Sequence, residues 1–461
     1  MINTANIRKT LYYLKRNGFR ETWYAVKERG LQAKGEAYRF SPVSDDELKR
    51  QRVWAEGLSQ DERIRISIVV PAYRTPRAYL EALLDSVFSQ SYPFFELIIA
   101  DATEDDSVKS VAEAYLKRLS AEEKAKLRLL SLAKNMGISA NTNEGIGAVS
   151  GAYTGLLDHD DLLTKDALYE MANAVISSKN PPDMLYSDED KCDEDGESFY
   201  EPNIKPDFDY ELLLSNNYIC HFTLIRTDII KRLLLRTEFD GAQDYDLFLR
   251  AVKECGGNVH HIPLVLYHWR CHRASTSENP GSKNYAYEAG RRALQAHADS
   301  SGYAAEVLDT KHVGFYTLRY KKDIFVARKD IGAVGGRITD GRRVVGGALN
   351  HLGKPLYGGL DIHFGGYLHR AELAQEVYAL DGRCIRVRPE LREDFCRIFG
   401  LSEYREGKNG FAEITDEASA DEEYIRKSLD FGGFLIEKGY RSVYCPEYTL
   451  KLSGKAGKKI K

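Results

Sequence analysis

The chain has 461 residues, of which 43% are hydrophobic and 29% are charged, a balance typical of a soluble folded protein with two or three domains. Its 69 acidic and 65 basic residues give a net charge of −4, which provides no broad positive field for nucleic acid. Seven scattered cysteines without a Cys-x-x-Cys pair argue against a disulfide framework or a structural zinc site. Because no apolar run reaches the roughly eighteen residues of a spanning helix, we expect a cytosolic protein.

Residues 1–60 predict one or two amphipathic helices. Ile7, Leu11 and Leu14 recur at helical spacing among basic residues. Two interpretations of this extension stay open: the helices pack on the following domain, or their basic face touches an anionic membrane. A second basic segment, KLSGKAGKKIK, ends the sequence and is expected to be a solvated tail.

From Ile64 onward, short apolar runs alternate with amphipathic helical patterns. Strands are predicted at IRISIVVPAY, FELIIAD, LRLLSLA and YTGLLDHDD, and helices at AYLEALLDSVFSQ and VKSVAEAYLKRL. This order predicts an α/β fold with a mostly parallel sheet. Asp101 and Asp158 then lie at the carboxyl ends of two strands, where open α/β sheets bind ligands.

Three carboxylates crowd the end of the last of these strands, in LLDHDD. Carboxylates this close repel one another unless solvent or a cation separates their charges. Asp158, His159 and Asp160 offer oxygen and nitrogen ligands suited to Mn²⁺ or Mg²⁺. The alternative is a capped turn, with Asp160 or Asp161 as the N-cap of the helix that begins near Thr164.

The combination of SIVVPAYRTPRAYLEALLDSVFSQSYPFFELIIAD, NMGISANTNEGI, LLDHDD and GAQDYDLFLRAV resembles the family 2 glycosyltransferases with the GT-A fold. The resemblance covers about residues 64–300. It implies an inverting, metal-dependent enzyme that transfers a sugar from a nucleotide diphosphate donor, and a GT-A sheet flanked by helices.

The resemblance assigns donor and metal residues by position. Base and ribose binding fall on Pro71, Ala72, Tyr73 and Asp101, although the usual Asp-Asp-Gly-Ser turn reads DATEDDS here. The Asp-x-Asp motif falls on Asp158, near ribose and metal, and on Asp160, on the metal. Further donor contacts are implied for Asn143, for which helix capping is an equal alternative, and for Arg270 and Ser275, which could hold the diphosphate.

The resemblance places the general base on Asp244, and Gln243 stands where many relatives have Glu. His268 is chosen as a further metal ligand because strand alternation turns Trp269 to the other face, and His272 is the alternative. In the acidic and aromatic stretch before this point, weaker candidates for sugar or acceptor contacts are Asp188, Glu189, Asn216 and Asn217. Gln243 is a weaker candidate of the same kind.

The C-terminal region contains a faint internal repeat. LDFGGFLIEKGYRSVYCPEYTLKLS resembles YDLFLRAVKECGGNVHHIPLVLYHW at an offset of about 180 residues. Asp430 falls opposite Asp246, whereas Ser428 falls opposite Asp244, so we expect a remnant of a second transferase domain that lacks catalysis. The predicted domains are an N-terminal helical extension (1–60), the GT-A domain (61–310) and a smaller α+β domain with a basic tail (311–461).

The sequence therefore predicts an inverting glycosyltransferase that uses Mn²⁺ or Mg²⁺ and a nucleotide-sugar donor, with UDP- or dTDP-sugars favoured. The expected acceptor is a glycan or a lipid-linked glycan of bacterial surface polysaccharide synthesis. The protein is expected to be cytoplasmic, and peripheral at the inner face of the plasma membrane if the basic N-terminal face binds lipid. Nucleic acid is not expected as a partner. One alternative is a non-catalytic glycan-binding or scaffold protein of the same pathway, and another is a metal-dependent phosphohydrolase that uses the same carboxylates.

Overall fold

The computed structural model describes residues 4–32, 38–272, 284–407, 410–412 and 422–452. The chain divides into two compact units. The first contains residues 1–9, 36–208 and 217–297, and the second contains residues 10–35, 209–216 and 298–461.

The described helices and strands follow in chain order. The helices are α1 (Thr4–Gln32), α2 (Asp45–Gly57), α3 (Arg77–Phe88), α4 (Ser107–Leu116), α5 (Ala121–Lys124), α6 (Ile138–Ala148), α7 (Ala167–Ile176), α8 (Tyr210–Leu213), α9 (Thr227–Leu233), α10 (Gln243–Glu254), α11 (Asn284–Ser300), α12 (Ile324–Ala327), α13 (Arg392–Phe399) and α14 (Glu422–Glu437). The strands are β1 (Ile66–Ala72), β2 (Phe95–Asp101), β3 (Leu127–Ser131), β4 (Tyr153–Leu156), β5 (Leu162–Leu163), β6 (Met184–Cys192), β7 (Phe199–Asn203), β8 (Thr223–Arg226), β9 (Val259–Arg270), β10 (Ala305–Asp309), β11 (Tyr316–Tyr320), β12 (Ile331–Thr339), β13 (Val344–Gly346), β14 (Ala348–Leu349), β15 (Gln375–Val377), β16 (Ala379–Leu380), β17 (Ile385–Val387) and β18 (Arg441–Lys451).

The first unit is built on a nine-stranded sheet with the order β3-β2-β1-β4-β8-β6-β9-β5, with β7 paired to β6. Strands β1 to β4 are parallel to one another, and the predicted alternation of strands and helices is confirmed. Strand β8 runs antiparallel to both β4 and β6, so the far half of the sheet is mixed. The carboxyl ends of β2, β1 and β4 consequently meet at one edge.

The core of the first unit forms where helices pack on this sheet. Strands β1 and β2 are buried along almost their whole length, as expected for strands covered on both faces. Helix α3 buries Leu80, Leu83, Leu84 and Val87, which share one face at spacings of three and four residues. Helix α2 begins at the N-cap Ser44, whose side chain accepts from the backbone N–H of Glu47.

The second unit contains a five-stranded sheet in which β12 pairs with β13, β17 and β18. Helix α14 directly precedes β18, as α10 precedes β9 in the first unit. Both strands pair in parallel, β9 with β6 and β18 with β12, and each pairing shifts register beside a proline, at Pro263 and at Pro446. The two segments aligned by the faint repeat therefore have the same order of elements.

Helix α1 is long but interrupted. Gly18 has φ 81°, outside the helical region, and a glycine reaches this conformation without a steric penalty. Among the described residues, no helix combines the length and the apolar character that crossing a bilayer requires.

Candidate functional site

The ends of β1 and β2 form one side of the candidate site. The Tyr73 hydroxyl donates to Glu104 Oε1 at 2.9 Å, and Asp101 Oδ1 accepts from the backbone N–H of Thr103 at 2.9 Å. The DATEDDS turn is thus closed by Asp101 itself without the usual glycine. Ala72 is buried and accepts from the backbone N–H of Ala102 through its carbonyl, whereas Pro71 lines the adjoining cleft.

The three carboxylates after β4 lie in different surroundings. Asp161 is 1% exposed and accepts from the Tyr267 hydroxyl and from the backbone N–H of Arg270. Burial, reinforced by the two neighbouring carboxylates, raises its pKa well above the ordinary range. The side chains of Asp158 and Asp160 stay 50% and 22% exposed. Asp161 therefore supports the turn, while Asp158 and Asp160 are open to a ligand.

Imidazoles lie beside both open carboxylates. His272 Nε2 is 2.9 Å from Asp160 Oδ2, and His221 Nε2 is 3.9 Å from Asp158 Oδ2. Partial withdrawal from water raises the pKa of Asp158, and among its neighbours His221 lowers this pKa whereas Asp160 raises it. This concentration of negative charge with imidazole nitrogen is the donor set that Mn²⁺ accepts.

The prediction that His268 binds the metal must be corrected. His268 bonds Asp190 through Nδ1 and packs between Phe40 and Phe199, so His272, not His268, lies beside Asp160. The position of His268 follows from the strand register, because the shift at Pro263 pairs His268 directly with Asp190.

Arg270 does not reach into open solvent as a diphosphate ligand would. It is 1% exposed, and its guanidinium donates to the carbonyls of Asp160 and Glu194. Its charge lies over the ring of Tyr79, 4.9 Å from the centroid. Arg270 therefore fixes the turn that carries the carboxylates. Ser275 lies outside the described residues.

Asp244 stands in the first turn of α10 and faces the same cleft as Asp158. Asn217 donates its Nδ2 to Asp244 Oδ2 at 2.8 Å, and Cys220 Sγ lies 3.4 Å from the same oxygen. Gln243 also lines the cleft, and its Oε1 accepts from the backbone N–H of Gly241 at 2.8 Å. Asp246, two residues on, is buried against Arg236 and Arg250, and so it anchors the helix.

The cleft itself combines these acidic groups with an apolar wall. Its apolar side comes from β4, α6, β8, α9, the loop after α9, and α10. The apolar lining includes Ile138, Leu156, Ile225, Ile230, Leu235 and Phe248. Asp158, His221 and Asp244 provide the polar side. A few polar groups converging in a mostly apolar concavity are typical of small-molecule sites.

Sequence reasoning missed His221, which lies in this cleft. Its ring stacks on Tyr267 with centroids 4.6 Å apart, and its Nδ1 lies 3.2 Å from Glu189 Oε2. Glu189 also faces the buried Lys205 ammonium at 3.5 Å. Burial alone would raise the pKa of Glu189, but Lys205 and His221 outweigh burial and lower it to about 2. The one sequence signal was a histidine directly before β8 among acidic and aromatic residues.

Several weaker predictions do not reach the open cleft. Asp188 is buried and bonds His261 Nε2 at 2.9 Å and the backbone N–H of Lys205 at 2.8 Å. Asn143 uses both ends of its amide on the backbone of Leu235, at 2.8 and 2.9 Å. Neither side chain is free for a sugar or a donor. Asn216 belongs to the second compact unit, whereas Asn217 lies in the first.

Part of the chain is similar in sequence to known proteins. Residues 67–234 match the sequence model of Glycosyl transferase family 2. An uncharacterized protein of Sinorhizobium fredii, y4gI, is 38% identical over 235 residues, covering 50% of this chain and 25% of the relative. The O-antigen biosynthesis protein RfbC of Myxococcus xanthus is 34% identical over 272 residues, covering 58% of this chain and 21% of the relative.

The chain thus spans about a quarter of the length of these two curated relatives, or less. Among solved structures, S. aureus TarS 1-349 in complex with UDP-GlcNAc is 19% identical with a TM-score of 0.40, covering 51% of this chain and 66% of that one.

Proposed function

We propose, from the membership of residues 67–234 in the family 2 glycosyltransferases, that this chain transfers a sugar from a nucleotide diphosphate donor to a glycan or lipid-linked acceptor. The expected process is bacterial surface polysaccharide synthesis, in line with the O-antigen role named for the Myxococcus relative. UDP- and dTDP-sugars are the favoured donors.

The observation that carries the proposal is the convergence of Asp158 and Asp244 on one cleft, at the carboxyl edge of the parallel strands. These residues lie far apart in sequence and come from different elements, a strand end and a helix start. In open α/β sheets this edge is the ligand crevice. A donor bound there would have one carboxylate at its diphosphate and the other on the acceptor side.

A divalent cation such as Mn²⁺ or Mg²⁺ fits the residues at this edge. Asp158 and Asp160 supply partly exposed carboxylates, and His272 supplies a nitrogen beside Asp160. Burial raises the pKa of Asp158, and the neighbouring Asp160 raises it further; a cation would offset the negative charge of both carboxylates. When bound, the cation would supply charge stabilisation to the departing diphosphate.

Asp244 is the proposed general base of an inverting transfer. Its carboxylate would accept the proton of the acceptor hydroxyl as that oxygen attacks the anomeric carbon. Asn217 holds Oδ2 through its amide at 2.8 Å, which leaves Oδ1 for the acceptor. The hydrogen bond orients the carboxylate without removing its charge.

We also propose that α1 brings the protein to an anionic membrane. Five apolar side chains of this helix are at least half exposed: Leu11, Phe19, Trp23, Val26 and Leu31. Residues 4–32 contain seven Lys or Arg and two Glu. Both glutamates are engaged within the second unit, Glu21 with Lys311 and Glu28 with the backbone N–H groups of Gly365 and Gly366. The segment therefore carries a net positive charge, as anionic lipids require.

The C-terminal residues 311–461 are proposed to be a partial copy of the transferase domain. The shared order of helix, proline-containing strand and parallel pairing supports this. Ser428 in the position of Asp244 supports the loss of catalysis. The boundaries 1–60, 61–310 and 311–461 remain part of the proposal.

The test measures nucleotide diphosphate release by the purified chain with Mn²⁺, across UDP-, dTDP- and GDP-sugars, with and without a glycan acceptor. Asp244→Asn should lower transfer by about 10²- to 10⁴-fold, and Asp160→Ala should abolish the response to Mn²⁺. Asp228→Asn, an exposed carboxylate on α9, is the matched control and should keep full activity.

Three outcomes would contradict the proposal. Release that needs no acceptor would identify a phosphohydrolase. No release from any donor, together with no metal-dependent donor binding, would favour a non-catalytic glycan-binding or scaffold protein. Near-normal transfer by folded Asp244→Asn would remove Asp244 from the role of base.

A further inference from the structure

A cluster of two histidines and a glutamate lies in the second unit and shares no residue with the candidate site of the first unit. His312 Nε2 is 2.7 Å from Glu372 Oε2. His369 completes the group, and one potential ligand atom of each residue lies within 4.8 Å of the others. Among the described residues, no other group of this kind offers three such atoms. His312 comes from the loop before β11, and the other two come from a 3-10 segment at Tyr367–Glu372.

The backbone that presents His369 is in an unusual conformation. Leu368 and His369 have φ values of 50° and 62°, and left-handed non-glycine residues cost on the order of 1 kcal/mol or more each. A Cβ on the neighbouring Gly365 would lie 2.9 Å from His369 Nδ1, so glycine is needed for this close approach. Strain of this kind persists where the surrounding structure holds a side chain in a required place.

The side chain of His369 is available to a cation. Its ring nitrogens form no hydrogen bond within the described part of the chain, only ring contacts with His312 and Phe315. Glu372 presents Oε2 to His312 Nε2 and Oε1 to the Lys311 ammonium.

The surroundings can release Glu372 to a metal. Lys311 Nζ lies 2.6 Å from Glu372 Oε1, but it also lies 3.1 Å from Glu21 Oε2. Lys311 therefore keeps a carboxylate partner when Glu372 turns to a cation. Glu372 Oε1 can also remain on Lys311 while Oε2 acts as the ligand. Supporting hydrogen bonds of this type commonly fix metal-binding side chains.

We infer that His312, His369 and Glu372 form a binding site for a transition-metal cation of the Zn²⁺ class. Two imidazole nitrogens and one carboxylate oxygen match the donor preference of Zn²⁺, and the fourth tetrahedral position is left for water. Binding places the cation between His312 Nε2 and Glu372 Oε2, and any proton held there passes to solvent. The rings of His312 and His369 are nearly parallel, with centroids 3.5 Å apart, and a metal lies in the plane of its ligand ring. The His369 ring must therefore turn when the cation binds.

This site differs in chemistry from the carboxylate edge of the first unit. Asp158 and Asp160 favour Mn²⁺ or Mg²⁺ as hard oxygen ligands, whereas a nitrogen-rich set favours Zn²⁺ or Co²⁺. The inference is independent of the proposed sugar transfer, because no residue is shared by the two sites.

The experiment measures Zn²⁺ bound at equilibrium by dialysis and metal analysis, with the full chain in an Asp158→Ala/Asp160→Ala background that removes the carboxylate edge. We expect one Zn²⁺ per chain, and His369→Ala should weaken binding by at least about tenfold. Glu372→Gln, which keeps the side-chain shape, should do the same. His363→Ala is the matched control, since His363 stacks on Tyr24 in the same unit but is not part of the cluster.

Co²⁺ provides a second readout, because four-coordinate Co²⁺ absorbs visible light much more strongly than six-coordinate Co²⁺. The intense band should appear with the background protein and with His363→Ala, and disappear with His369→Ala and Glu372→Gln. Circular dichroism checks that each variant is folded. The inference would be overturned if no Zn²⁺ bound at about 100 μM free Zn²⁺. It would also be overturned if folded Glu372→Gln bound Zn²⁺ as tightly as the background protein.

Discussion

Replacing Glu189 with Gln tests the buried network beneath the cleft. The carboxylate faces Lys205, whose side chain is 0% exposed, at 3.5 Å, and it accepts from the backbone N–H of His221 at 3.2 Å. Removing one partner of a buried ion pair costs about 3 to 5 kcal/mol, because it leaves the other charge buried and unpaired. Gln keeps an acceptor for Asn203, and the Lys205 ammonium keeps the carbonyls of Ile219 and His221. We therefore expect the Gln variant to lose about 3 kcal/mol of unfolding free energy, at the lower end of this range.

The pKa of Glu189 gives a similar value for the stability contributed by its charge. The pKa of Glu189 falls from the ordinary 4.5 to about 2 on folding, a difference that corresponds to about 3 kcal/mol at neutral pH. Because the folded-state pKa is depressed, this stabilisation is fully present above about pH 4.5 and is lost as the pH falls toward 2. The Gln variant should lack this part of the acid dependence.

Thermal and urea unfolding would measure the effect. A loss of about 3 kcal/mol should lower Tm by about 6 to 12 °C for a unit of this size. The control is Glu201→Gln in the adjacent strand β7, where the pair with Lys191 is 69% exposed on the acidic side and should contribute less than about 1 kcal/mol. Equal shifts in the two variants, or a Glu189→Gln shift below about 1 kcal/mol, would refute the reasoning.

Two further predictions concern α1 and Cys220. The protein should float with phosphatidylserine vesicles at low salt and stay unbound at about 1 M salt, where the Debye length is about 3 Å. Phe19→Ser should reduce vesicle binding. Ile436→Ser is the control and should not reduce it, since Ile436 is an exposed apolar residue on α14. Flotation that is unchanged by salt and by Phe19→Ser would contradict the membrane proposal. Burial raises the pKa of Cys220 to about 12, so iodoacetamide at pH 8 should label it at least about a hundredfold more slowly in the native protein than in urea. Comparable rates in peptide mass spectrometry would contradict a raised pKa for the thiol beside Asp244.

The local hydrophobic pattern was sufficient to predict the strands and covering helices of the first half of the sheet. The apolar runs of β1 and β2, bounded by polar turns, indicated strands buried on both faces, and the helical spacing of Leu80, Leu83 and Val87 indicated their cover. These signals depend on neighbours within one element, so a single sequence contains them. The same reasoning placed Asp101 and Asp158 at one edge, because parallel strands share their carboxyl side.

The choice among side chains at that edge needed contacts between distant elements. Strand alternation turns His268 away from Trp269 but does not say which residue of β6 it meets, and the shift at Pro263 sets it against Asp190. Arg270 reads as an exposed phosphate ligand in sequence, yet carbonyls from the turn after β4 and from the loop after β6 bury its charge. Only packing decides whether a charged side chain faces a ligand or the protein.

The sequence by itself determined the order of strands and helices, the resemblance to the family 2 glycosyltransferases, and the carboxylates at the strand ends, because each is encoded in short-range periodicity or in a contiguous motif. The tertiary structure alone decided that His272 joins Asp160, that His221 enters the cleft, and that His312 meets His369 and Glu372. Such groupings depend on register shifts and loop paths that bring residues from separate elements within a few ångströms. Periodicity in the sequence describes one element at a time and holds no record of these distances.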